Sequence, residues 1–420
     1  MIDVLVIGAG PAGATAARAL AIGGARVRLL DRAAFPRNKP CGGLISGRAL
    51  SRFPWLVDAL TRIPTHWISK LHLQAPSGGV AQLQSATPAG FTIRRVEFDH
   101  LLVQLAVEAG VELIEGVEIA QAVESSDRVD VRARDGRTFH APQVIAADGI
   151  YSVVARRLGI NPAWPATSVA LDMMEEAPAD TLAAVDPATL WVSYGHDRSE
   201  GYAYVFPKKE HVNVGIGYVL DHYRRRVDRP PYELQAALVD RLRAAGVLRG
   251  TSSRRHFTPF QIPVGGPLTR TATRRVIVAG DAGGFVNGIT AEGIYYAMVS
   301  GELAAVALRG EGPAAYQDLW RREVGAELRD SVLVQRDLLT HPARVDAVVA
   351  GASRNPDLAG LLVRYAMGEV SYRTARRRLL LASPAAAVRL AFRGLAARFY
   401  TPNLPSRASR SIEGMTRVTR

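Results

Sequence analysis

The sequence predicts an α/β protein: a Rossmann-like domain, an inserted mixed β-sheet domain and a C-terminal helical segment. Three observations predict it. An aliphatic run, Val4-Leu5-Val6-Ile7, leads straight into Gly8-Ala9-Gly10-Pro11-Ala12-Gly13. Two more aliphatic runs, at residues 144–147 and 276–279, end in Asp148-Gly149 and Gly280-Asp281. Between and around them lie short alternating stretches such as Val212-Asn213-Val214-Gly215-Ile216, which have the period of a sheet with two unlike faces.

Val4–Ile7 reads as a strand buried on both faces. The spacing G-x-G-x-x-G follows at once: Gly8 suits the tight turn, Gly10 a close approach of backbone to pyrophosphate, and Gly13 close packing of helix on strand. Pro11 fits the first helical turn, and Ala12, Ala14, Ala16 and Ala17 keep the helix slim. Its free N–H groups and dipole make an anion site. The next strand, residues 26–30, ends in Asp31, 18 residues after Gly13, with Arg32 beside it. An acid there accepts hydrogen bonds from a ribose diol and disfavours a 2′-phosphate. Gly8, Gly10, Ala12, Gly13, Asp31 and Arg32 therefore predict a site for an unphosphorylated ADP moiety, which FAD and NAD share.

Later in the chain, the loop from Gly283 to Gly293 is rich in small residues that let main-chain N–H groups approach a ligand, and the helix after Gly293 carries Ala297, Ser300, Gly301, Ala304 and Ala305. Tyr202, Tyr204 and Phe206 alternate along a strand and share one face. That face is read either as an ordinary aromatic core or as the wall of a long apolar tunnel. Near the end, Ser383-Pro384 caps a helix with Val388, Phe392, Leu395 and Phe399 on one stripe, flanked by Arg389, Arg393 and Arg398.

With 420 residues, 48% hydrophobic and 22% charged, the chain can bury a large core. Its net charge of +13 is concentrated from Ser371 onward, where eleven arginines face one acid, Glu413. A nearly neutral body with a basic tail points to a surface patch or an anionic lipid leaflet rather than to nucleic acid. The tail helix has two readings, a membrane-surface helix or a helix docked on the body with solvated arginines. One cysteine, Cys41, excludes an internal disulfide and a cysteine-cluster metal site, and no metal is expected. The start, Met1-Ile2-Asp3-Val4, predicts no secretory signal, and arginines interrupt the apolar stretches before they reach the length of a membrane span. A cytoplasmic protein, peripheral to the inner face of the membrane, is expected. The chain has no H-E-x-x-H, P-loop lysine or G-x-S-x-G, so hydrolase, protease and kinase readings lack their machinery.

Taken together, the motifs resemble flavoproteins of the p-hydroxybenzoate hydroxylase fold and, within it, the geranylgeranyl reductase family. Residues 35–43, ending in Pro40-Cys41-Gly42-Gly43, resemble that family's Pro-Cys-Gly-Gly loop beside the flavin. Tyr202-Ala203-Tyr204-Val205-Phe206-Pro207, followed by Gly215-Ile216-Gly217, resembles its Tyr-x-Trp-x-Phe-Pro substrate motif with the closing Gly-x-Gly. The resemblance implies a Rossmann-like FAD-binding domain over 1–65, 93–165 and 275–335, a substrate sheet over 66–92 and 166–274, and a basic helical region over 336–420. It places Asp148, Asp281, Gly293, Ile294, Arg95 and the Cys41-Gly42-Gly43 loop on FAD, and Tyr202, Tyr204, Phe206, Pro207, Gly215 and Gly217 on substrate. The chain departs from the family pattern at Tyr204, where Trp is usual, at Gly288 and Ala291, where Pro and Gly are usual, and at Ala155, where Arg is usual.

The implied activity is FAD-dependent saturation of C=C bonds in a prenyl or related isoprenoid chain, with NADPH or a ferredoxin-like protein as electron donor. Such a reaction needs a proton donor as well as a hydride. Cys41 is the candidate acid near the flavin, with Arg37 and Lys39 as cationic neighbours; a small residue that fills the turn is the other reading. An FAD-dependent monooxygenase or halogenase acting on a small hydrophobic substrate is the alternative, with halogenase disfavoured by the lack of Trp-x-Trp-x-x-Pro. A non-catalytic flavoprotein that docks through its tail is the third.

Overall fold

In the computed structural model, alternate residues of the first strand enter different cores. Val4 and Val6 join Leu29, Ile145 and Ile277 beneath the helices Pro11–Ile22, Arg95–Glu108 and Ile294–Arg309. Leu5 and Ile7 face the other way, into a core completed by Ile119, Val129 and Val131. The strand is thus buried along its whole length, as its unbroken aliphatic run predicts. Its sheet is parallel throughout, in the order Val276–Val278, Gln143–Ala146, Val4–Ile7, Val27–Leu30, Glu112–Ile114. Helices cover one face. The other is covered by an antiparallel sheet of Ile119–Glu124, Val129–Ala133 and Thr138–Ala141.

The structure describes residues 2–85, 88–196, 200–366, 370–371, 373–375 and 377–378. The chain divides into two units, Met1–Arg373 and Thr374–Arg420, and every element named here belongs to the first. The expected amphipathic helix after Ser383, with Arg389, Arg393 and Arg398, lies outside the described residues.

A second, seven-stranded mixed sheet draws on both middle segments of the chain. Its order is Phe257–Pro263, Val169–Pro178, His211–Val219, Gly201–Lys208, Thr189–Tyr194, Lys70–Gln74, Val80–Gln84. Period-two alternation sorts its residues. Met173, Ala203, Val205, Val214 and Ile216 pack under the helix Pro231–Ala244. The opposite face presents the register rows Asp172–Gly217–Tyr202 and Met174–Gly215–Tyr204. The helix Ala326–Leu339 runs without a break across residue 335, and beyond it Val345, Val349 and Ala352 cover Leu71 and Leu83.

Candidate functional site

Both sheets border one cavity of about 440 Å³. Two helices aim their N-termini at it. The helix Pro11–Ile22 begins at Gly10 and the helix Ile294–Arg309 at Gly293, and neither first turn is capped by a side chain. Their unsatisfied N–H groups and dipoles favour negative charge in the space between. The glycines explain how close the elements come. A Cβ on Gly13 would lie 1.8 Å from the Gly8 carbonyl oxygen, and one on Gly301 would lie 2.1 Å from that of Ala12. Gly10 differs, since a Cβ there would meet only the Arg37 guanidinium, at 3.7 Å, so its open side faces the cavity.

Arg37 and Arg95 share one carboxylate. Arg95 donates to both oxygens of the fully buried Asp99 at 2.6 and 2.7 Å, and Arg37 adds a 2.6 Å bond to Oδ2. Burial alone pushes the Asp99 carboxyl up, but the two guanidinium groups outweigh it and hold the pKa below the usual range. Two cations against one anion leave the cavity wall a net positive charge beside the open side of Gly10. Lys39 pairs with Asp281 at 2.9 Å. Arg37 and Lys39, expected as neighbours of Cys41, are therefore paired elsewhere.

Asp31 is buried at the mouth of the glycine turn, where it accepts from the N–H of Ala9 at 2.7 Å and of Ala33 at 2.9 Å. It fixes that turn and still borders the cavity, with exposed Arg32 next to it. Asp148 accepts from Val153 N–H at 2.8 Å, while its Oδ1 is buried with no partner, and burial raises its pKa. Gly8, Ala12, Gly42, Gly43, Gly293 and Ile294 also reach the wall, so the residues expected on the cofactor converge there except Gly13, which packs against the Gly8 carbonyl.

Cys41 borders the cavity, with Sγ accepting from Gly43 N–H at 3.3 Å. Its carbonyl is clamped by Lys208 Nζ and Asn213 Nδ2, each at 3.3 Å. Of the expected substrate residues, Tyr202, Tyr204 and Phe206 form part of the wall, whereas Pro207, Gly215 and Gly217 do not. With Tyr194 they make a row of rings with successive centroids 5.4, 5.7 and 4.5 Å apart. Gly215 serves this row from behind. A Cβ on Gly215 would lie 2.4 Å from Tyr204 Cζ, so only a bare strand lets the ring cross to Asp172, whose oxygens accept from the Tyr204 hydroxyl at 3.1 and 3.3 Å. Gly42 does the same for Phe206, with 2.8 Å to Cδ2.

Sequence reasoning missed Asp172, Glu292 and Arg48. Glu292 accepts from Ser46 Oγ at 2.6 Å and pairs with Arg48 at 3.1 Å, while Arg48 reaches Glu327 and lies over the Tyr295 ring. The family departures in the same loop have a cause. Gly288 donates its N–H to Ser331 Oγ at 2.8 Å, and a Cβ there would stand 3.0 Å from the Val332 backbone, so neither Pro nor a side chain fits under the helix Ala326–Leu339. Ala291 keeps the left-handed conformation, φ 54°, that glycine would adopt more freely.

A dinucleotide carrying a pyrophosphate fits this lining: an open glycine turn, two uncapped helix N-termini and an uncompensated guanidinium. The model of the FAD binding domain matches residues 1–312. The chain is 31% identical over 350 residues to digeranylgeranylglycerophospholipid reductase 1 of Methanopyrus kandleri, covering 76% of this chain and 86% of that protein. It is 30% identical over 384 residues to menaquinone reductase of Mycolicibacterium smegmatis, covering 86% and 90%. A solved structure, a geranylgeranyl bacteriochlorophyll reductase-like protein of Thermoplasma acidophilum, shares the fold with a TM-score of 0.74 over 90% of this chain and 98% of that one, at 22% identity. The cavity is therefore that of an FAD-dependent enzyme, and the chain belongs to the geranylgeranyl reductase family of FAD-dependent oxidoreductases.

Proposed function

We propose that the protein saturates C=C bonds of a prenyl chain carried by a lipid. The observation that carries this reading is the ring row Tyr194, Tyr202, Tyr204 and Phe206, part of which forms the wall of the cavity that the cofactor motifs also border. Reduced FAD, when bound, supplies a hydride to an isolated double bond. The chain has to hold an extended apolar substrate beside it, exclude water and deliver one proton. The aromatic edges give apolar contact along a line rather than at a point, which suits a repeating chain. The helix N-termini, Arg37 and the Gly8–Gly13 turn would hold the pyrophosphate, and Asp31 the adenosine ribose. Cys41 would shape the loop between cofactor and substrate. Two relatives named as reductases, one of a geranylgeranyl-bearing phospholipid and one of a quinone, support the substrate class. Among the described residues no helix is long and apolar enough to cross a membrane. The arginine-rich tail of the sequence suits peripheral contact with an anionic leaflet.

The test is anaerobic. The bound flavin is reduced, by NADPH or through a ferredoxin-like protein, and mixed with geranylgeranyl lipid in anionic vesicles or in neutral micelles. Oxidation of the flavin without oxygen, with a product heavier by two hydrogens per bond and a faster reaction on vesicles, is expected. Oxidation only after oxygen is admitted would identify a monooxygenase instead, and no oxidation in either case a binding protein.

A further inference from the structure

Of the acids around the cavity, Asp281, Glu292 and Glu118 are paired with Lys39, Arg48 and Arg134, Asp31 is held by main-chain N–H groups, and Asp148, held through one oxygen by Val153 N–H, lies beside Gly8. Asp172 is different. It lies on the cavity face of Val169–Pro178, is 6% exposed, and its hydrogen-bond partner is the Tyr204 hydroxyl. Its register neighbours on either side are Gly217 and Phe260, neither of which titrates. The titratable groups that bear on the Asp172–Tyr204 pair are Tyr202 on the same strand as Tyr204 and Cys41 on the facing loop, and both are neutral or acidic. Lys39, over the Phe260 ring at 5.1 Å, is committed to Asp281.

We infer that Asp172, held by Tyr204, is the acid that protonates the double bond in the reaction proposed above. The assignment rests on that reading of the reaction. One alkene carbon takes the Asp172 proton and the other takes the hydride from reduced FAD. The π bond is lost and two C–H bonds form, the substrate gains two electrons, the flavin is oxidised, and Asp172 is left as a carboxylate that water reprotonates. The Tyr204 hydroxyl donates to that carboxylate. Burial raises the Asp172 pKa to about 7, against the lowering effect of the Tyr204 hydrogen bond, so the acid form is populated at neutral pH. Cys41, whose Sγ accepts from Gly43, is a loop-positioning residue in this scheme.

The experiment compares FAD-loaded wild type, Asp172→Asn, Tyr204→Phe and Cys41→Ser. Infrared difference spectra against pH read the carboxylic acid directly, and single-turnover mixing with a geranylgeranyl lipid reads the reaction. In wild type, an acid C=O band that fades through about pH 7 and a rate that falls over the same range are expected. Asp172→Asn should keep bound flavin, lose the band and slow reduction of the lipid by about 100-fold or more. Tyr204→Phe should move both midpoints to higher pH, because a bond that favours the anion is gone, and Cys41→Ser should leave both midpoints in place. If wild type is active and Asp172→Asn matches its rate and pH profile, or if the band is absent from wild type, the assignment of Asp172 falls while the reductase reading stands. A wild type that reduces no prenyl lipid overturns both.

Discussion

The cation balance at Arg37, Arg95 and Asp99 turns on single side chains. Arg37 makes its wall contribution through one 2.6 Å bond to Asp99, and its guanidinium is the group nearest the open side of Gly10. Replacing it by Gln leaves the Arg95–Asp99 pair neutral, so FAD should bind about tenfold more weakly or worse, as expected for losing one charge-assisted contact. Asp99→Asn works in the opposite sense, because it leaves the buried Arg95 and the partly buried Arg37 without an anion, and should destabilise the fold by about 3 kcal/mol or more. Titration of apoprotein with FAD and urea unfolding separate the two effects. In the sequence Arg37 stood out only as a cationic neighbour of Cys41, and Asp99 not at all as a site residue. Arg37 and Asp99 are 62 positions apart, as are many unrelated Arg and Asp, and only the fold of the 35–43 loop against the helix Arg95–Glu108 makes them neighbours.

At the level of elements, bare Gly215 in His211–Val219 decides where the Tyr204 ring of the next strand lies. Gly215→Ala would put a methyl 2.4 Å from Tyr204 Cζ, in the middle of a sheet that cannot spread. The ring must then leave Asp172, at an overpacking cost of about 1–3 kcal/mol, and thermal melting together with the Asp172 titration should report both consequences. The strand-turn-helix at the N-terminus was legible because its signals are local: four aliphatic residues, the glycine spacing and an acid at the end of the next strand. The alternation of Tyr202, Tyr204 and Phe206 likewise announced a shared face. What alternation cannot announce is which residue sits one strand over. Asp172 opposes Gly217 and bonds Tyr204 through pairings set by sheet order, and Gly215 of the motif leaves the space that the tyrosine ring needs.

For the whole molecule, one buried acid sets a slope of stability against pH. Asp172 has a pKa of about 7 in the fold against 3.8 for the free side chain, so the folded chain holds a proton there that the unfolded chain has released. Stability should fall as pH rises from about 4 to about 7 and level off above, by at most about 4 kcal/mol from this group. Asp99, held below its usual range, acts in the opposite direction, losing stability only as pH falls below about 4. Urea midpoints of wild type and Asp172→Asn across this range should converge at the acid end and separate toward neutrality, with the variant the more stable at pH 8 or so. The backbone contact of Gly301 with Ala12 has a consequence in time as well as in space. The Gly8–Gly13 turn is synthesised before the helix that braces it, whose contact is made only once Gly301 is in place. A nascent chain short of Gly301 lacks that brace, so loading of the flavin should be a late event in the protein's synthesis.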